Sequence, residues 1–145
     1  MLAGKAKSRL PDEMALLGAP QDLVSRARAE SDEAQEKLFI RFTQGKHACM
    51  LDWRATREEI YEELLPILSE DEKRLLPPRE DVPEEAAAAI ARIGKALRGS
   101  QRALVRTESL GDFSFLVLVP REKESEFIEC VGPWRIEDDE SKQWK

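Results

Sequence analysis

The residues best suited to do chemistry lie together in the stretch HACMLDW, residues 47–53. It contains the only histidine of the chain, one of its two cysteines and an aspartate. These residue types could form a cysteine nucleophile with a histidine base, or part of a zinc site. Structural zinc needs four ligands, however, and one histidine with two cysteines would need a carboxylate that has no recognisable spacing. The sequence therefore predicts no metal and no cofactor.

The geometry of a strand argues against catalysis by this stretch. Successive side chains of a strand point to opposite faces, so the stretch divides into two sets. One face is expected to carry His47, Cys49, Leu51 and Trp53, and the other to carry Ala48, Met50 and Asp52. An aspartate–histidine–cysteine relay would need Asp52 beside His47, on the wrong side. We therefore expect His47 and Cys49 to be core residues, and we expect no enzyme activity.

Asp52 remains a candidate because it ends the predicted strand, just before a helix, where α/β proteins often place ligand groups. Asp112, in a predicted turn, has the same two interpretations, as a turn residue or as a functional carboxylate. Trp134, after a Gly-Pro pair, is either an exposed anchor for a partner or a cap on the core. The candidate partner-binding residues are Asp52, Trp53, Asp112, Trp134, Glu137, Asp138, Asp139 and Glu140.

Three arginines four residues apart in a later segment offer a different chemistry. Arg98, Arg102 and Arg106 could form a local basic patch that attracts an anion. Alternatively, they balance the acidic surface.

Cap and periodicity signals define the elements that must position these residues. Ser31 begins a predicted helix over 31–43 with an apolar stripe at Ala34, Leu38 and Phe42. Capping boxes at Thr56–Glu59 and Ser69–Glu72 predict two helices after the HACMLDW strand. An alanine-rich helix follows over 84–98. The segments 103–107 and 113–120 form a predicted hairpin, and a last helix lies within 122–131.

These elements predict an α/β (α+β) fold with a small three-stranded mixed sheet. The strand at 113–120 is apolar on both faces, which is typical of a central strand covered by helices on both sides. The HACMLDW strand and the first hairpin strand would flank it, parallel to each other. Residues 1–30 are predicted as a helical or loose extension, with 1–10 loose. Residues 31–134 form the single α/β domain, and 135–145 form a charged disordered tail.

Composition limits the class of function. The 145 residues include 29 acidic and 23 basic residues, a net charge of −6. This balance disfavours nonspecific binding to nucleic acid or to anionic membranes. No apolar run is long enough to span a bilayer, and two cysteines do not make a disulfide framework. We therefore expect a cytoplasmic protein with reduced thiols.

Two segments carry a resemblance to a known family. CMLDWRATREEIYEELLPIL (49–68) and ALVRTESLGDFSFLVLVP (103–120) resemble the bacterial DUF6630 family, over roughly residues 35–131. That family pairs an LDW-like strand and helix with a later strand, a glycine–aspartate turn and an apolar strand ending in proline. The resemblance marks Asp52-Trp53 and Gly111-Asp112 as pattern positions. It implies no activity, because the family has no established one.

The expected function is a noncatalytic acidic protein-binding module. Its most concrete form is a bacterial immunity-type protein that neutralises a basic toxin by direct binding, since acidic inhibitors match basic clefts. The alternative is a small-molecule-binding or regulatory domain, or an enzyme, that uses Asp52 and Asp112 at one end of the sheet. A pocket shared by both carboxylates would favour that alternative. A homo-oligomer is also possible.

Overall fold

The strand Phe113–Pro120 organises the molecule because its two faces bury two separate sets of apolar side chains. A computed structural model describes residues 2–139, with side chains from Arg9 onward. Phe115, Val117 and Val119 point into one core, whereas Leu116 and Leu118 point into the other. The prediction of a central strand covered on both faces is confirmed.

Three helices precede the first strand, three more separate it from a β-hairpin, and a last helix leads to a short final strand, with 3₁₀ turns between several of these elements. The helices are α1 (Leu2–Leu16), α2 (Gln21–Arg28), α3 (Asp32–Thr43), α4 (Arg57–Leu64), α5 (Glu70–Leu75), α6 (Ala86–Ala96) and α7 (Glu124–Val131). The strands are β1 (Ala48–Asp52), β2 (Arg102–Glu108), β3 (Phe113–Pro120) and β4 (Arg135–Ile136). Over the described residues, no helix is long and apolar enough to cross a membrane.

The strand order is β1-β3-β2-β4, and each of these neighbouring pairs is antiparallel. Since β1 and β2 both run against β3, they are parallel to each other, as expected from the sequence. Two details of the prediction are wrong, because the sheet has four strands and is antiparallel throughout rather than three-stranded and mixed. The fourth strand, β4, lies in the segment predicted to be a disordered tail. It pairs with β2 at Arg106 and Thr107.

Helices cover both faces of the sheet. On one face, α4 and α6 pack against Leu116 and Leu118 of β3. On the other face, α1, α2, α3 and α7 pack against Val105 of β2 and the phenylalanine and valine side chains of β3. Two capping boxes begin α4 and α5 at Thr56 and Ser69, as the sequence predicts. Caps of this kind satisfy amides that the first helical turn leaves without partners.

The backbone of α1 is helical from Leu2, so the prediction of a loose segment over 1–10 is wrong from that residue onward. Leu10 and Met14 of α1 and Ala27 of α2 are buried in the same cluster as Phe39 and Phe115. Arg9 fixes α1 to the sheet by donating a hydrogen bond to the carbonyl oxygen of Glu108 at 2.9 Å. The segment predicted as an extension therefore supplies part of the core.

The stripe predicted for α3 is displaced by one residue. The most buried positions are Gln35, Phe39 and Thr43, whereas Leu38 and Phe42 are only partly buried. Two of the buried residues are polar, and their hydrogen bonds stay local. Thr43 donates to the carbonyl oxygen of Phe39 at 2.8 Å. Because a stripe chosen by apolar residues skips such polar positions, it identifies the wrong face.

Candidate functional site

The strand register brings two distant segments to the same end of the sheet. Asp52, the last residue of β1, pairs with Phe113, the first residue of β3. The loop after β1 therefore lies beside the β2–β3 turn that contains Asp112. We call this region the sheet-end surface, and it consists of Asp52, Trp53, Glu108, Leu110 and Asp112. Three of the predicted site residues, Asp52, Trp53 and Asp112, thus meet in one place.

Trp53 is the most exposed large apolar side chain of this region, with 60% of its surface accessible. The guanidinium of Arg54 lies 4.8 Å from the centroid of its indole ring. The expectation that Trp53 shares the inward face of Cys49 and Leu51 is wrong, because β1 ends at Asp52 and strand alternation does not extend past it. Leu51 is buried, whereas Trp53 faces outward. Its prediction as a partner contact is compatible with this exposure.

Asp52 shapes the turn that follows β1. Its Oδ1 accepts a hydrogen bond from the backbone N–H of Arg54 at 2.8 Å. Its carbonyl oxygen accepts one from the N–H of Ala55 at 2.9 Å. A short acidic side chain that binds the amide two residues ahead is a common turn device. The interpretation of Asp52 as a turn residue therefore accounts for one of its two carboxylate oxygens.

The β2–β3 turn is held in a fixed shape. The Ser109 hydroxyl donates to the carbonyl oxygen of Phe113 at 2.6 Å and accepts from the N–H of Gly111 at 3.0 Å. The N–H of Leu110 donates to Glu36 Oε2 at 2.8 Å, which ties the turn to α3. Leu110 and Asp112 consequently project from a rigid support. Asp112 and Trp53 line a shallow cavity of about 360 Å³, whose lining does not include Asp52.

Two of the other candidates have internal structural roles. Trp134 is partly buried and packs against the core that contains α1, with the Arg9 guanidinium 5.0 Å from its ring centroid. This arrangement favours the interpretation of Trp134 as a core cap over that of an exposed anchor. Asp138 Oδ1 accepts a hydrogen bond from Arg106 Nη1 at 2.8 Å, and both side chains are largely shielded from water. The ion pair orders part of the predicted tail.

The remaining acidic candidates follow β4 in the chain. Glu137 and Asp139 are exposed, and a Glu137 carboxylate oxygen lies 3.9 Å from Arg135 Nη1. Glu140 lies outside the described residues. None of the described candidates in 134–139 lines the cavity that Trp53 and Asp112 share.

His47 and Cys49 do not form a hydrogen-bonded dyad in the part of the chain that the structure describes. The His47 ring stacks on Phe42 at a centroid distance of 5.2 Å, and burial lowers the pKa of its imidazole. Burial raises the pKa of the Cys49 thiol to about 12, with a smaller contribution from Glu63. A thiol in this environment stays protonated near neutral pH and is a poor nucleophile. No group of three or more potential metal ligands occurs among the described residues.

A second concave region lies between α6, β2 and β4, and it is rich in cations. Its lining includes Arg98 and Arg106, two members of the basic patch suggested by the sequence. Arg102 is not part of it, because its guanidinium binds Glu72 and the carbonyl oxygens of Lys46 and Ile67. Lys95, Arg121 and Arg135 join this region only through tertiary packing. Their spacing along the chain gives no signal that could have identified them.

Leu110 was also missed, because a leucine within a predicted turn has no local signature of a binding residue. It is one of the few large apolar side chains with substantial exposure.

Comparisons of this chain with protein-family models, with curated proteins and with solved structures find no match. The DUF6630 resemblance therefore stays a prediction.

Proposed function

We propose that this chain is a noncatalytic protein-binding module whose sheet-end surface contacts a basic protein. The most concrete form is a cytoplasmic immunity-type protein that neutralises a toxin by direct binding. The observation that carries the proposal is the exposure of Trp53 beside carboxylates on a rigid turn. Tryptophan is enriched among the residues that dominate binding free energy at protein interfaces.

The composition of the sheet-end surface indicates the chemistry of the partner. Trp53 and Leu110 offer exposed apolar area, and the carboxylates of Asp52, Glu108 and Asp112 at this end of the sheet are exposed as well. With a net charge of −6, the whole chain adds a long-range attraction for a basic partner. Complementary charge of this kind mainly accelerates association and selects the partner, whereas the apolar contacts resist dissociation.

The alternative, a small-molecule site or an enzyme that uses Asp52 and Asp112, has less support. Of these two carboxylates, Asp112 lines the cavity at this end of the sheet and Asp52 does not, and one oxygen of Asp52 is bound to a turn amide. The cavity is also shallow and lies largely open to solvent. A pair of carboxylates arranged for acid–base chemistry would be expected to converge on one enclosed space.

Co-purification from the native host tests the proposal. We expect a tagged chain to retain one basic protein in constant stoichiometry, and we expect the purified pair to reassociate with an affinity that falls as salt rises. Elution of the chain alone as a monomer under gentle conditions would rule out a constitutive complex. A homo-oligomer in light scattering, without a second protein, would favour self-association instead.

Substitutions locate the contact. Trp53→Ala should weaken binding of the purified basic protein by at least about tenfold, while the free energy of unfolding changes by less than about 0.5 kcal/mol. Leu75→Ala is the matched control, since Leu75 is also an exposed apolar residue but lies on α5. Equal losses in the two variants would contradict a specific contact at the sheet-end surface.

A further inference from the structure

The cation-rich region between α6, β2 and β4 forms a cavity of about 370 Å³, which we call the basic cleft. Five cationic side chains line it, together with three carboxylates. The cations are Lys95, Arg98, Arg106, Arg121 and Arg135, and the carboxylates are Glu124, Asp138 and Asp139. An excess of positive charge in one concavity is unusual in a chain whose net charge is −6. Its residues play no part in the proposed contact with a protein, although Arg106 and Ile136 also border the cavity at the sheet end.

Two arginines in the cleft are held in fixed orientations. Arg121 donates hydrogen bonds to the carbonyl oxygens of Leu97, Ser100 and Arg102, at 2.8, 3.1 and 3.1 Å. Arg106 donates from Nε to the Ser114 hydroxyl at 3.0 Å and from Nη1 to Asp138. Each guanidinium is thus oriented before any ligand arrives, which reduces the entropy lost on binding.

Two other cations in the cleft lack a counter-ion. Among the described residues, no ion pair or hydrogen bond involves the side chain of Lys95 or Arg98, and both are exposed at the end of α6. The nearest carboxylate to Arg135 is that of Glu137, at a distance of 3.9 Å, which is too long for a hydrogen bond. The unpaired charges of Lys95 and Arg98, and the loosely paired charge of Arg135, line the same cleft as Arg106 and Arg121, so the cleft has capacity for added negative charge.

The wall of the cleft is open where a ligand would approach. Gly94 lines the cavity, and a Cβ added at this glycine would meet no atom within 4 Å. A ligand can therefore come close to the α6 backbone between Ile90 and Lys95. The volume lies within the range of small-molecule sites, and it is much too small to enclose a nucleic-acid duplex.

We propose that the basic cleft binds a small anion through a phosphate group. The Arg98 guanidinium and the Lys95 ammonium offer donors for the several acceptor oxygens of a phosphate, and the fixed positive charges of Arg106 and Arg121 line the same cleft. A single carboxylate would neutralise fewer of the cations. The same chemistry is offered by inorganic phosphate and by a phosphorylated small molecule, and the two differ in whether the remaining cavity is also filled.

Calorimetric titration of the full chain at constant ionic strength tests this proposal. The probes are inorganic phosphate, pyrophosphate, a sugar phosphate and a short single-stranded RNA. We expect saturable one-to-one binding of at least one of the three small anions, accompanied by a rise in the thermal midpoint. Tighter binding of the sugar phosphate than of inorganic phosphate would identify a phosphorylated small molecule as the ligand. Absence of saturable binding by all three small anions, with or without RNA binding, would overturn the proposal.

Three variants distinguish a built site from nonspecific attraction. Lys95→Gln/Arg98→Gln should weaken binding by about tenfold or more, since each charge-assisted hydrogen bond contributes on the order of a tenfold change. Lys37→Gln/Arg41→Gln, on an exposed part of α3, removes the same net charge and should leave the affinity nearly unchanged. Gly94→Leu should reduce binding by filling the cavity while all charges remain. Equal losses in the two double variants would show that only net charge matters, and the proposal would fail.

Discussion

At the scale of single residues, Glu13 is the most completely buried charged side chain among the described residues. Its carboxylate is buried within α1 and accepts a hydrogen bond from Arg9 Nε, while Oε1 has no hydrogen-bond partner among the described residues. Burial raises the pKa of this carboxyl to about 7, although the Arg9 charge acts in the opposite direction. A carboxyl that is easier to protonate in the folded state than in the unfolded state makes stability depend on pH.

Because the folded pKa of Glu13 lies above its unfolded value, its contribution to stability is complete below about pH 4.5 and declines as the pH rises through about 7. We expect the unfolding free energy of the wild type, relative to Glu13→Gln, to fall between about pH 5 and pH 8. The fall should be on the order of 1–3 kcal/mol. Urea unfolding at several pH values measures it. The lowered pKa of His47 makes stability rise with pH, but it does so equally in the wild type and the variant and therefore cancels in their difference. Parallel curves of unfolding free energy against pH for the two proteins would refute the assignment to Glu13.

At the scale of elements, the caps explain why the helices begin where they do. Thr56 and Ser69 each accept a hydrogen bond from the amide three residues ahead, and the carboxylates of Glu59 and Glu72 accept one from the backbone N–H of the cap residue. Such local reciprocity depends on four consecutive residues, so it can be recognised in the sequence. The end of α4 also has a local cause, because Pro66, which has no N–H to continue the helix, lies in the 3₁₀ turn that follows Leu64.

Ser69→Ala should lower the free energy of unfolding by about 1 kcal/mol, because the amide of Glu72 loses its acceptor at the start of α5. The matched control is Ser125→Ala on α7. Ser125 is exposed, and its hydroxyl makes no hydrogen bond among the described residues, so this change should stay within about 0.5 kcal/mol. Chemical denaturation of both variants gives the comparison. A loss at Ser125 as large as that at Ser69 would mean that the cap is not the cause.

At the scale of the whole molecule, the sheet separates two cores, and α1 belongs to one of them. Met14 is fully buried among residues from the sheet and from α7. Arg9 joins α1 to the end of β2 and lies over the ring of Trp134. The N-terminal segment, the last helix and the chain leading into β4 therefore stabilise one another. Loss of α1 would expose the face of β3 that carries Phe115 and Val117.

Met14→Ala should lower the free energy of unfolding by about 2–5 kcal/mol, because it opens a cavity in this core. Met50→Ala makes the same chemical change at a residue that is 43% exposed, and it should cost less than about 1 kcal/mol. Thermal and urea unfolding measure both variants. Similar small losses would indicate that α1 contributes little to the stability of this core.

The sequence by itself determined the local features of this protein. Period-two alternation separated Phe115 and Val117 from Leu116 and Leu118, and cap residues identified the starts of α3, α4 and α5. These signals depend on neighbours within a few residues, so they can be recognised without knowledge of the fold.

Only the tertiary structure decided which surfaces meet. It turned Trp53 outward beyond the end of β1, packed Trp134 under Arg9 and joined Arg106 to Asp138 across 32 positions of sequence. It also gathered the cations of the basic cleft from α6, β2, β4 and the turn after β3. Such contacts form because burial and charge pairing act between distant segments, and no local pattern of residues records them.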